Sequence, residues 1–348
     1  MKSNQSSNRY ARQVQFSPIG ENGQAGIRKS TVTILGCGAL GTVVAEILTR
    51  AGVGQLRLID RDVVEWSNLQ RQSLFDENNA REGHSKAEAA SIHLSRINSE
   101  VQIEPIVLDI TSENIGPTLS SSDLIIDAAD NFLLRFLLND WSLKHHQPWV
   151  HGGCIGATGQ VHLFNGTGGP CFRCLVPEPP PAAAVDTCDT AGVIGSATHA
   201  IASLQATEAI KWLSGNRECN RTKLLSIDLW NNRIRELNLP PQLRDHCVAC
   251  GKHQYDFLEG SHAVSSESSA VLCGREAVQL QTNECDIDFS QLAERWQSLG
   301  RVQQTRFFVR LHLTNEQSLT LFKDGRAVIS GTDQIAMARS IVNRYLGG

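Results

Sequence analysis

One segment constrains this 348-residue chain more than any other: Thr31-Val32-Thr33-Ile34-Leu35 running into Gly36-Cys37-Gly38-Ala39-Leu40-Gly41. A β-branched apolar run ends in a G-x-G-x-x-G turn, and a helical pattern follows over 39–51. A second short run, Leu56 to Ile59, then ends in Asp60. Strand, glycine turn, helix and strand make one βαβ unit, which crosses over right-handed. Gly36, Gly38 and Gly41 permit a tight turn and a close backbone approach to phosphate, while the helix N-terminus supplies amide donors and positive potential. Asp60, 19 residues after Gly41, stands where a ribose would be accepted. The fingerprint calls for a nucleotide but does not separate NAD from ATP.

The alternation continues, with helices expected over 85–97, 132–145 and 196–213. Strands are expected over 101–107, 124–126, 149–150, 223–229 and 233–237. The fold class is therefore α/β: an open, Rossmann-like, mostly parallel sheet with helices on both faces. Residues 165–195, rich in Gly and Pro, read as an excursion from that sheet, and residues 259–270 have linker composition. Beyond them a separate pattern suggests a small α+β domain over 271–348. It has strands at 276–281, 305–313, 318–322 and 326–329, and helices at 289–299 and 333–346. The expected organisation is a nucleotide-binding domain over 1–258, a linker over 259–270 and the small domain.

Lys and Arg total 32 against 36 Asp and Glu, a net charge of −4 that gives no general reason to bind nucleic acid or anionic lipid. No apolar run approaches the roughly 18–20 residues of a membrane span. The polar N-terminal segment lacks the apolar core of a secretory signal. A cytoplasmic location is expected, and in a reducing compartment the ten cysteines favour metal or thiol chemistry over disulfides.

Two C-x-x-C pairs stand out, Cys171-Phe172-Arg173-Cys174 and Cys247-Val248-Ala249-Cys250. Ten scattered cysteines would produce about 0.3 such pairs by chance. Four thiolates suit a closed tetrahedral Zn²⁺ site, structural because no position remains for water. Neither pair opens a helix after a strand, as a redox-active C-x-x-C does. Zinc would then pin the excursion to the C-terminal edge of the sheet domain. Cys188, in the loop before the 196–213 helix, has no C-x-x-C partner.

Further motifs narrow the nucleotide. Trp66-Ser67-Asn68-Leu69-Gln70-Arg71-Gln72 follows Asp60, and Gly83-His84-Ser85-Lys86 precedes a helix. Arg9-Tyr10-Ala11-Arg12-Gln13 lies near the start, and Asp127-Ala128-Ala129-Asp130-Asn131 follows a strand. With these four motifs in this order the chain, over about residues 8–253, resembles the ubiquitin-activating-enzyme-like superfamily. It is most similar there to bacterial adenylyltransferases that activate the small sulfur carriers of molybdopterin and thiamine synthesis. The resemblance implies that Gly38, Asp60, Asn68, Arg71, Lys86, Asp130 and Asn131 line an ATP site. It implies a homodimer in which Arg12 reaches into the partner's site. It also implies that Cys188 takes an acyl thioester or an acyl disulfide, although some relatives only adenylate, which leaves a spare loop cysteine as the alternative. The rhodanese-like domain of several relatives has no counterpart in residues 271–348, where Cys273 and Cys285 lie early and no cysteine follows.

The charges suit that reading. Adenylating a carboxylate brings one anion onto a polyanion, so cations must gather at the α-phosphate. Arg71, Lys86 and a borrowed Arg12 serve there, and Asp130 can hold the Mg²⁺ that accompanies pyrophosphate. The expected activity is MgATP-dependent adenylation of the C-terminal Gly-Gly carboxylate of a small ubiquitin-like sulfur carrier, with a sulfur donor as a further partner. An NAD(P)-dependent oxidoreductase or a non-catalytic adaptor on the same fold are the alternatives; ATP binding and turnover separate them.

Overall fold

The structure is a computed structural model that describes residues 9–167, 169–180, 191–220, 222–260, 262, 269–271, 276–282, 287–314 and 317–346. Cys188, Cys273, Cys285 and the terminal Gly347-Gly348 lie outside the described residues. The chain divides into two compact units, Met1–Val264 and Ser265–Gly348.

In the first unit, helices α1 (Ala11–Gln15) and α2 (Gly20–Lys29) lead into β1 (Thr31–Leu35), α3 (Gly41–Ala51) and β2 (Gln55–Ile59). Short α4 (Glu77–Glu82), α5 (Lys86–Ile97), β3 (Gln102–Ile106), α6 (Ile115–Leu119) and β4 (Leu124–Asp127) follow. Then come α7 (Phe132–His145), β5 (Trp149–Ile155), β6 (Thr158–Phe164), α8 (Phe172–Leu175), α9 (Gly195–Leu213), β7 (Leu224–Asp228) and β8 (Arg233–Leu237). The eight strands run in the order β3-β2-β1-β4-β5-β6-β7-β8. The first five are parallel, and β5 to β8 are joined antiparallel. β6 was not visible in the sequence reading, since Thr158-Gly159-Gln160 opens it without an apolar alternation.

β1 is all apolar or Thr because it is central: Val32, Thr33, Ile34 and Leu35 are buried between α3 and α9 on one side and the Ile115, Phe136 and Trp141 cluster on the other. Its order reverses on either side, β2 to one edge and β4 to the other, and the crevice at that switch point is where open α/β sheets bind ligands.

The second unit holds β9 (Ser269–Val271), β10 (Ala277–Gln281), α10 (Phe289–Trp296), β11 (Arg301–Gln304), β12 (Phe308–His312), β13 (Ser318–Phe322), β14 (Arg326–Ser330) and α11 (Ile335–Tyr345). Its strands form one antiparallel sheet in the order β11-β12-β13-β14-β10-β9. Val278, Val309, Leu311, Leu321 and Ile329 pack with Leu292, Trp296 and Ala338 from the helices into one core. The expected strand at 305–313 is β12 alone, which starts at Phe308 after a turn in which the Thr305 hydroxyl accepts from the Phe307 and Phe308 amides; β11 precedes the expected range, and the helix before it stops at Trp296. α10 starts where Asp288 accepts from the Ser290 and Gln291 amides.

Candidate active site and metal centre

The glycine turn is a backbone cradle. Gly36 adopts φ +95°, and a Cβ there would lie 2.7 Å from the Ala128 carbonyl. A Cβ on Gly41 would meet the Gly36 carbonyl at 1.9 Å. These two glycines are required by close packing of the turn against itself and against the β4 end. Gly38 differs, because a Cβ there would meet only Gln72 Nε2, at 3.9 Å. Its open face, beside the start of α3, is the space a phosphate would enter.

Asp60 ends β2 beside this turn. Its Oδ2 accepts from the Cys37 amide at 2.6 Å and its Oδ1 from the Asp62 amide at 2.7 Å. Burial and the neighbouring Asp62 push its carboxyl up, with Lys86 opposing them. The carboxylate thus already organises the glycine turn, and a ribose would share it.

Lys86 reaches the site across 26 residues of sequence. Val63 bridges Ser85, the Lys86 amide donates to the Asp62 carbonyl at 3.0 Å, and Lys86 Nζ lies 3.1 Å from Asp62 Oδ2. Lys86, 5% exposed, opens α5 after the Ser85 cap. Asn68, 3% exposed, closes a short turn in which its Oδ1 accepts from the Glu65 amide. Arg71, one turn further, donates to the Ser67 carbonyl at 2.8 Å, and its neighbour Gln70 reaches the Val193 carbonyl.

Asp130 is exposed in the turn between β4 and α7. It is close enough to help hold the Arg61 guanidinium up, after the larger contributions of Asp109 and Asp62 and against the lowering effect of burial. Asn131 caps α7 by accepting from the Leu133 amide at 2.9 Å. Arg12 lies outside this group: it is exposed on α1 and donates to Gln15 at 2.9 Å.

Six side chains here were given no role from the sequence. Asp62 is the partner of Lys86. Arg61 pairs with Asp109 at 3.0 Å. Gln72 is 4% exposed beside Gly38, and its Oε1 has no partner among the described residues. Beneath the Asp130 turn, Asp127 Oδ2 meets Arg135 Nε at 3.1 Å and His151 Nδ1 at 2.7 Å. Burial pushes the Asp127 carboxyl up, but Arg135 and His151 outweigh it and hold the group below the usual carboxylate range. The D-x-D pattern at 60–62 was a readable signal; Arg135 and His151, inside apolar segments, had none.

The cysteine pairs meet. Cys171 and Cys247 sulfurs are 3.6 Å apart, Cys174 and Cys250 are 3.4 Å apart, and all four lie within 4.8 Å of one another. A zinc ion about 2.3 Å from four thiolates separates them by about 3.8 Å, so the set fits the ion. The second pair sits in a tight turn, where the Gly251 and Lys252 amides donate to the Cys247 carbonyl and a Cβ on Gly251 would strike the Arg244 carbonyl. The cluster rests on α7: Leu143 packs against it, Asn139 accepts from the Phe172 amide and Asp140 from the Phe257 amide, both at 2.9 Å. Burial pushes the Asp140 carboxyl up to about 6. Of the remaining cysteines, Cys37 is buried in the turn and Cys219 is exposed.

Fold and site together define a nucleotide-binding α/β protein with an acid-and-lysine-lined glycine turn and a tetrathiolate centre. The ThiF family sequence model matches residues 10–249, and the chain belongs to that family. It is 40% identical over 342 residues to the sulfur carrier protein ThiS adenylyltransferase of Bacillus subtilis, covering 97% of this chain and 99% of that protein. It is 39% identical over 242 residues to the adenylyltransferase and sulfurtransferase MOCS3 of Aedes aegypti, covering 70% of this chain and 55% of that one. A crystal structure of E. coli MccB with MccA-N7isoAsn shares the fold, with a TM-score of 0.62 at 23% identity over 70% of this chain and 74% of that one.

Proposed function

We propose that this protein uses MgATP to adenylate the C-terminal Gly-Gly carboxylate of a small ubiquitin-like sulfur carrier, releasing pyrophosphate. The observation that carries the reading is the open face of Gly38 with Asp60 bound to the same turn and Lys86 paired to Asp62 beside it. The likeness along nearly the whole chain to a ThiS adenylyltransferase supports it. A dehydrogenase has no need of so many charged groups at the phosphate turn, and an adaptor has none for a buried Lys86.

In the reaction, a carboxylate oxygen of the carrier attacks the α-phosphorus, and the bond to the bridging oxygen of the β-phosphate breaks. Lys86, exchanging Asp62 for phosphate, and Arg71 neutralise the charge that builds there, joined by Arg12 of the partner subunit in a homodimer. Asp60 holds the ribose together with the glycine turn. Asp130 and the neighbouring Asn131 would hold the magnesium, which when bound offsets the charge of departing pyrophosphate. A protein substrate needs a docking surface as well as a pocket. The edge strand β8 and the turn before it leave Trp230 77% and Ile234 70% exposed, which suits a folded carrier.

After adenylation, the Cys188 thiolate attacks the acyl carbon and expels AMP to form a thioester, or, first converted to a persulfide by a separate sulfane-sulfur donor, attacks through its outer sulfur and expels AMP to form an acyl disulfide. Zinc fills the four-cysteine centre as a structural ion. Among the described residues no helix is long and apolar enough to cross a membrane, and the thiol set suits a reducing cytoplasm.

The test is ATP–pyrophosphate exchange with a Gly-Gly-terminated carrier. Wild type exchanges in the presence of Mg²⁺, and Asp130→Ala lowers the rate by about a thousandfold or more. Exchange at the wild-type rate in that variant excludes the assignment of Asp130, and wild type without exchange excludes the function.

A further inference from the structure

The turn that carries Asp130 is held from below by a buried ion pair. The Ala129 amide donates to Asp127 Oδ1 at 3.2 Å, and the Ala129 carbonyl accepts from Arg135 Nη2 at 2.5 Å. The second of these bonds grips the peptide unit that joins Ala129 to Asp130. Asp127 and Arg135 are themselves bound at 3.1 Å, with side chains 1% and 10% exposed. His151 donates to the same Asp127 oxygen as Arg135 does, and Gln205 from α9 donates to the Asp127 carbonyl at 2.6 Å. On the far side Asn131 is fixed as the cap of α7. Asp130 is therefore a solvent-facing side chain on a backbone gripped at both ends.

A buried ion pair is a poor way to gain stability, since apolar side chains of similar volume do as well or better. An apolar filler could not hold the N–H and the C=O of Ala129 at once. We propose that Asp127 and Arg135 are positioning residues that aim the Asp130 carboxylate at the divalent cation accompanying ATP. This rests on the assignment of Asp130 above and goes beyond it by assigning the aim of the carboxylate to two residues that never touch the nucleotide. Partners that orient a metal-binding carboxylate typically change metal affinity by about ten- to a hundredfold when lost.

The experiment measures binding of α,β-methylene-ATP by calorimetry on the intact protein, with Mg²⁺ and with EDTA. The ratio of the two affinities isolates the contribution of the cation. Arg135→Lys, which cannot reach Asp127 and the Ala129 carbonyl with one fork, lowers that ratio about tenfold or more and leaves the EDTA affinity unchanged. Asp127→Asn, which keeps the shape and an acceptor for Ala129, tests the same grip from the other side. It carries the result where Arg135→Lys melts below wild type. In an Asp130→Asn background the ratio is already lost, and neither substitution lowers it further. An unchanged ratio in a variant that melts as wild type does overturns the proposal, as does a decrease that persists beside Asp130→Asn. A wild-type ratio near one overturns the metal role of Asp130 itself, and the grip with it.

Discussion

The nucleotide pocket and the four-cysteine centre are both assembled from segments far apart in sequence, yet they are built in opposite ways. The pocket gathers single residues from the ends of β1, β2 and β4 and from the start of α5. Asp60 is spent on two amides and Lys86 on Asp62. Charges in such a site can be lost one at a time, because the sheet beneath them is held by the apolar side chains of β1 and its neighbours. The cysteine centre has four sulfurs within 4.8 Å and, among the described residues, Ala249 and Leu143 as its apolar company, so the zinc ion we propose there would carry much of what holds it shut. One site is chemistry laid on a finished fold; the other is part of the fold.

Metal loss should produce the largest effect. Elemental analysis should find one zinc per chain, and Cys247→Ser or chelation should cause aggregation or a steep loss of heat stability. Structural zinc in small peptides is worth about 10–16 kcal/mol at neutral pH. A metal-free protein with unchanged melting would erase the contrast between the two regions. Next come the pocket cations. Lys86→Ala and Arg12→Ala should each lower exchange by about a hundredfold or more while melting as wild type does. Mixed after subunit exchange, the two variants should recover part of the activity, since each hybrid dimer holds one site with both defects and one with neither. No recovery would move Arg12 out of the partner's site.

Smaller still is the effect of Cys188→Ser on exchange, which should stay near wild type while any thiol-sensitive conjugate with the carrier disappears. If wild type never forms that conjugate under conditions that accumulate adenylate, the enzyme only adenylates. The smallest change is expected from ending the chain at Gly260. The second unit has its own core of Trp296, Leu311, Leu321 and Ile329, and we propose that it docks a downstream partner or the sulfur donor, with a stabilising appendage as the alternative. Exchange with free carrier should remain near normal and partner capture should weaken. A truncated protein unable to adenylate would make the second unit part of the active site.

The α/β class was legible because its signals are local and periodic: an apolar β1, glycines where a Cβ would strike backbone, and an acid at the end of β2. The cysteine centre was legible from spacing, since two C-x-x-C pairs have few other uses in a reducing compartment. What stayed hidden lacks such signals. β6 begins with Thr158-Gly159-Gln160, and β11, Arg301-Val302-Gln303-Gln304, has a single apolar residue. Arg135 sits in Phe132-Leu133-Leu134-Arg135-Phe136, a stretch that reads as a helix with one surface charge, although the arginine is 8% exposed. Its burial depends on Asp127 coming from a strand whose own pattern is apolar, and only the assembled sheet brings the two together.

Helix α7 belongs to both regions. Asn131 caps its first turn beside Asp130, and eight to twelve residues later, about 12–18 Å along the axis, its later turns carry Asn139, Asp140 and Leu143 against the cysteine centre. A single rigid element that ends on two binding sites makes their equilibria a thermodynamic pair. Whatever factor a filled tetrathiolate adds to nucleotide affinity, bound nucleotide must add to metal affinity at equilibrium.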